Sequence, residues 1–162
     1  MDDLNELTQR LADVLAGNGR MLAVAESCTG GWVAKTLTDL AGSSTWFERG
    51  FVTYSNASKQ DMLGVSSGTL AQHGAVSEAV VREMAQGVLA RSQADVALAI
   101  SGIAGPGGGL PDKPVGTVCF AWAMRDGFDE TVTCRFKGDR DAVRRQSVHQ
   151  ALQHLLDLPG NG

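Results

Sequence analysis

Cysteine is scarce in this 162-residue sequence: Cys28, Cys119 and Cys134 make an odd count, and no C-x-x-C pair occurs. A disulfide framework needs an even set and a zinc ribbon needs closely spaced thiols, so both are excluded, and the count suits a reducing compartment. Positive charge is short as well. Fourteen Lys and Arg against 18 Asp and Glu leave a net charge of −4, which removes the sequence-wide basic footprint of a nucleic-acid binder, although a local anion pocket stays open to the chain. No apolar run approaches the ~20 residues of a membrane span. The opening M-D-D lacks the basic region of a secretory signal. The expectation is a cytoplasmic protein with neither nucleic acid nor membrane as partner. His73, His149 and His154 show no i, i+4 spacing, so no metal site is expected. Repeats, low-complexity tracts and linkers are also missing. The length fits one domain over residues 1–162, large enough to bury roughly 70% of its unfolded surface.

Glycine is plentiful. Twenty glycines gather at turns, which favours a site built from loops. Between them the apolar period alternates between helix and strand. Leu4, Leu7, Leu11, Val14 and Leu15 mark a helix over 3–16, opened by a capping box from Asp3 to Glu6. A strand over 21–25 follows, then a helix running to Gly42. Residues 43–50 have no readable period. A strand is expected over 50–55, a short helix carrying Lys59, Met62 and Leu63, a further helical turn over 69–73, and a longer helix capped by Ser77. The run 96–100 is continuously apolar and 115–124 is apolar on both faces, as in strands buried on both sides. Val132, Cys134 and Phe136 alternate with polar residues in a strand over 131–137 with one wet face. The short turn before it makes that strand antiparallel to its predecessor, so the sheet is mixed. A last helix begins near Asp139, with Val143, Val148, Leu152, Leu155 and Leu156 on its buried side. The tail over 159–162 reads as disordered.

Two strand-end loops offer chemistry. The first is E-S-C-T-G-G, from Glu26 through Ser27, Thr29, Gly30 and Gly31, at a strand-to-helix turn. Helix-start amides lack intrahelical acceptors and can hold an anion or an oxyanion. A capped helix with glycines for close packing fits the same residues. The second loop, 101–109, supplies Ser101, Gly102 and Gly105. It is neither a G-x-G-x-x-G fingerprint nor a Walker A loop. Tyr54 at a strand end and Lys59 one helical turn later can project from one sheet edge, though a lone helix lysine is ordinarily solvated. Arg140 and Arg144, one turn apart, can grip a phosphate together or stand as two surface arginines.

A-E-S-C-T-G-G at 25–31, G-S-S-x-W-F-x-R-G at 42–50, Y-S-N-x-x-K at 54–59, H-G-A-V-S at 73–77, S-G-I-A-G-P at 101–106, K-P-V-G-T-V at 113–118 and G-D-R-x-x-V-R at 138–144 occur in that order. On these motifs the sequence resembles the CinA C-terminal domain family over nearly its whole length. The resemblance implies a three-layer α/β/α sandwich around a mixed, mostly parallel sheet with one antiparallel strand. It implies hydrolysis of nicotinamide mononucleotide to nicotinic acid mononucleotide and ammonia, in pyridine-nucleotide recycling, without a cofactor. Ser27 matches the family's nucleophile and Lys59 its partner. Ser44, Tyr54, Ser101 and either Arg140 or Arg144 match substrate positions. A homodimer is the candidate assembly.

On that scheme Lys59 acts as base and must be neutral, whereas a free lysine with a pKa of about 10.4 is charged at pH 7. Burial and nearby positive charge lower such a pKa. The oxyanion of the acyl-enzyme step falls to amides over 26–31, and Cys28 is the rival nucleophile. The competing class is a non-catalytic regulator that binds a pyridine nucleotide or another phosphorylated metabolite with the same contacts.

Overall fold

The computed structural model describes residues 2–160, excluding the side chain of residue 2. Six helices flank one five-stranded sheet: α1 Asp2–Gly17, β1 Leu22–Glu26, α2 Trp32–Thr38, β2 Phe47–Val52, α3 Asn56–Leu63, α4 Ser67–His73, α5 Glu78–Ala90, β3 Val96–Gly102, β4 Thr117–Met124, β5 Asp129–Arg135 and α6 Arg140–Leu156. The strand order is β2-β1-β3-β4-β5. β1 pairs in parallel with β2 and β3, and β4 pairs antiparallel with β3 and β5, so β4 alone among these strands runs against the rest. This is the α/β/α sandwich expected.

Side-chain alternation divides the central strands into a large face and a small one. Leu22 and Val24 of β1, Val96, Leu98 and Ile100 of β3, and Val118, Phe120, Trp122 and Met124 of β4 pack under α1, α2 and α6. The other face presents Ala23, Ala25, Ala97, Ala99, Cys119, Ala121 and Ala123 to α3, α4 and α5. Small side chains there let α5 lie low on the sheet, with Val80, Val81, Met84 and Val88 fully buried. Each such burial contributes about 1.5–3 kcal/mol.

Several boundaries differ from the sequence reading. α2 stops at Thr38, well short of Gly42, and the chain passes through left-handed Gly42 into a 3-10 turn, Ser43–Thr45. β2 occupies much of the stretch without a period. Phe47 packs on the large face and Phe51 on the small face, although an even spacing places both on one side of a regular strand. A register shift between Leu22 and Ala23 of β1 leaves Glu48 as an extra residue and hides the alternation. Asp3 is not a cap, since α1 begins before it; its carboxylate reaches Arg145 of α6 at 3.0 Å. At the tail, Leu158 is buried and the Gly160 carbonyl accepts from Asn18 at 3.2 Å, so 159–160 are placed, while 161–162 lie outside the described residues.

Candidate active site

The parallel strands β1, β2 and β3 end at one level, with Glu26 beside both Val52 and Ile100. In open α/β sheets the crevice beyond such ends is where ligands bind. Here β1 delivers Ser27, whose N–H continues the ladder to the Ile100 carbonyl at 3.0 Å. The residue order of β1 then separates two roles. Glu26 follows Leu22 and Val24 toward α2, and Ser27 follows Ala23 and Ala25 toward α3.

Lys59 projects from α3, a helix capped by the Ser55 hydroxyl. Its Nζ lies 3.0 Å from Ser27 Oγ, and 3.1 Å from each of the Thr53 and Tyr54 carbonyl oxygens. The side chain is 1% exposed. Among the described residues no carboxylate pairs with it, and burial pushes its pKa below the ordinary lysine value. The three contacts suit a neutral amine. Two N–H groups point at carbonyls that can only accept; the third direction meets Ser27 Oγ, which itself donates to the Tyr54 carbonyl at 3.3 Å, and a neutral amine has its lone pair for that direction once the hydroxyl turns from Tyr54. Cys28 is nearly as buried, and burial pushes its thiol up to about 12. Little thiolate exists there at neutral pH, so the better intrinsic nucleophile is switched off.

A cleft of about 230 Å³ joins these groups. Ser27, Cys28, Tyr54, Asn56, Lys59, Ser101, Gly102 and Arg140 line it, with Ala75, Val76 and Ala104. Its lining holds one buried amine, one guanidinium and no carboxylate. Arg140 donates from Nη1 to the Gly105 carbonyl at 2.7 Å, and its Nη2 stands 3.5 Å from the Tyr54 hydroxyl. Ser101 sits beside Ser27 at the end of β3 and is 1% exposed. Among the described residues no group of three or more His, Cys, Asp or Glu side chains gathers that could hold a metal.

Four expectations need correction. The Glu26 carboxylate does not face the cleft: it accepts from Gly31 N–H at 3.2 Å and from Val33 and Ala34 N–H at 2.9 Å each, occupying the start of α2. Those amides are therefore not available to an oxyanion. Ser44 lies at the opposite end of the sheet, in the turn where Leu22 N–H donates to the Trp46 carbonyl. Five residues of strand, on the order of 16 Å, separate that end from Ser27. Thr29, Gly30, Gly31 and Arg144 line a neighbouring depression with Trp32 and Lys35 instead of the cleft. Arg144 and Arg140 thus do not act as a pair, because Arg144 donates to the Cys28 and Thr29 carbonyls at 3.1 and 3.2 Å.

Asn56, Ala75, Val76 and Ala104 were not singled out from sequence. Asn56 stands inside Y-S-N-x-x-K, and Ala75 and Val76 inside H-G-A-V-S, so the motifs held a signal. Their ordinary side chains carried no chemistry to mark them.

The model of the CinA C-terminal domain matches residues 4–158. The chain is 59% identical over 155 residues to the nicotinamide-nucleotide amidohydrolase PncC of Escherichia coli (strain K12), covering 94% of this chain and 93% of that one. It superimposes on the competence/damage inducible protein CihA from Agrobacterium tumefaciens with a TM-score of 0.94 at 46% identity, covering 96% and 94% of the two chains. The competence damage-inducible protein A from Klebsiella pneumoniae gives 0.92 at 45% identity and 95% of each chain. Matched across nearly all its length in sequence and in fold, the chain belongs to the CinA C-terminal domain family.

Proposed function

We propose that this chain is an amidohydrolase converting nicotinamide mononucleotide to nicotinic acid mononucleotide and ammonia, with Ser27 as nucleophile and Lys59 as base. The observation that carries it is the 3.0 Å approach of a buried lysine, unpaired with any carboxylate among the described residues, to a serine hydroxyl at the mouth of a cleft. The name of the relative from Escherichia coli supports the substrate class.

Lys59 takes the Ser27 proton as Oγ bonds to the carboxamide carbon and the carbonyl electron pair moves onto oxygen. When that pair returns, the C–N bond breaks, and the proton passes from Lys59 to the departing nitrogen as ammonia. Water then attacks the ester, giving its proton to Lys59. Collapse releases the carboxylic acid and returns a proton to Ser27. The pyridinium charge of the substrate favours the neutral form of Lys59 and draws electrons from the carboxamide. Arg140, at the cleft rim, takes the 5′-phosphate. Ammonia release from nicotinamide mononucleotide by the purified chain, beside Ser27→Ala and Lys59→Ala, tests the reading. Nucleotide binding without turnover in the unmodified chain refutes it in favour of a regulator.

A further inference from the structure

The turn between β1 and α2 is held from two sides by opposite charges. Glu26 takes the amides of Gly31, Val33 and Ala34. Ser27 N–H donates to Ile100, Gly30 N–H to the Ser27 carbonyl and Trp32 N–H to the Thr29 carbonyl. Of the amides over 27–34, that of Thr29 has no acceptor among the described residues, and that of Cys28 meets only its own thiol. The carbonyls of the same two residues are both taken by Arg144, through Nε and Nη2, from α6. Its guanidinium lies 5.7 Å from the centre of the Trp32 ring. Gly30 makes the approach feasible, since a Cβ there stands 3.3 Å from Nη2.

A trans peptide points its C=O and the following N–H in opposite directions, and the peptide between Cys28 and Thr29 is trans. A guanidinium that draws the Cys28 carbonyl toward α6 therefore turns the Thr29 N–H to the other side, where α3 brings Lys59 to Ser27. We propose that Arg144 is a positioning residue for the oxyanion: although Thr29 otherwise borders the neighbouring depression, holding the Cys28 carbonyl from that side turns the Thr29 N–H toward the carboxamide oxygen as Ser27 attacks. This rests on the hydrolase reading above. The oxygen acquires the carbonyl electron pair as the Oγ–C bond forms, and preorganised amides receive that charge at no cost of reorganisation. Arg144 does not touch substrate. Its Nε and Nη2 are committed to the turn, and the side chain lines the depression beside the cleft.

The test compares Arg144→Ala and Arg144→Lys with wild type in two assays. The first is steady-state ammonia release from nicotinamide mononucleotide. The second is the rate of Ser27 phosphonylation by a small phosphonofluoridate, followed by intact mass, which needs no nicotinamide. Arg144→Ala lowers kcat roughly 10- to 100-fold, leaves KM within about twofold and the pH midpoint in place, and slows labelling by a similar factor. Added guanidinium ion restores part of both rates. Arg144→Lys, which reaches one carbonyl at a time, falls between, and carries the comparison if the alanine variant does not fold. A KM rise of tenfold or more with kcat retained, or both rates within twofold of wild type, overturns the assignment. A wild type that labels at Ser27 without releasing ammonia sinks the substrate reading alone, because a labelling loss in the variants still upholds Arg144. A wild type that does neither overturns both.

Discussion

Gly87 of α5 faces the carbonyl of Leu63, the last residue of α3, so closely that no Cβ fits between them. The absent side chain sets how near α3 approaches α5, and Lys59 stands one turn before Leu63 on the same helix. Gly87→Ala pushes back that turn. Overpacking of this kind costs about 1–3 kcal/mol, and the amine moves relative to Ser27. The expected outcome is a lower urea midpoint together with a kcat loss larger than any change in KM, measured by denaturation and ammonia release.

The neighbours Ser27 and Cys28 differ in which can react. Cys28 is buried and its thiol is raised to about 12, so Cys28→Ala keeps kcat within about threefold. Removal of a nucleophile that acts as a unit with its base costs on the order of 10³-fold or more, which is the expectation for Ser27→Ala. Iodoacetamide at pH 8 labels Cys28 slowly in the folded chain and readily in urea, as read by mass spectrometry. The reverse pattern of activities shifts the chemistry to sulfur.

The lowered pKa of Lys59 has a sign in both activity and stability. On the proposed mechanism only the neutral amine accepts the Ser27 proton, so kcat/KM is expected to rise with pH through the folded-state value and level off above it. For stability, the unfolded chain holds the extra proton between that lowered value and the ordinary 10.5, and stability gains with rising pH across this window. As pH falls toward the folded value that contribution is lost. The urea midpoint of wild type minus that of Lys59→Met therefore increases from neutral pH toward pH 10. A flat difference contradicts the shift.

Arg140 lines the cleft and offers a guanidinium to an anion there. Hydrogen bonds to charged groups are worth about 1.5–3 kcal/mol. Arg140→Ala raises KM for nicotinamide mononucleotide roughly 10- to 100-fold by that measure, and leaves the riboside, which has no phosphate, little changed. Equal losses on both substrates assign Arg140 to the Gly105 loop that it also holds.

Much of this molecule is written locally. The stripes of α1, α5 and α6, the caps at Ser77 and Asp139, and the largely apolar β3 and β4 depend on neighbours a few residues away, so the local pattern finds them. The bulged β2 was hidden because its register belongs to β1 as much as to itself. Motif order located Ser27, Lys59, Tyr54 and Ser101 without any distance among them.

The choice between near neighbours came from assembly of the sheet. Strand alternation sends Glu26 beneath α2 and Ser27 beneath α3, so two adjacent polar residues of one motif take unrelated tasks. Ser44 and Ser27 stand in two motifs of one family yet occupy opposite strand ends. Arg140 and Arg144 read alike along the chain, but the first reaches over the cleft and the second reaches behind the turn, since the packing of α6 against α1, β3 and β4 fixes what each guanidinium meets. Residue identity set the chemistry on offer: a hydroxyl, an amine, a guanidinium. Whether the amine is buried 3.0 Å from the hydroxyl or wet and charged depends on contacts 32 residues apart, and the desolvation that lowers its pKa exists only once those contacts close.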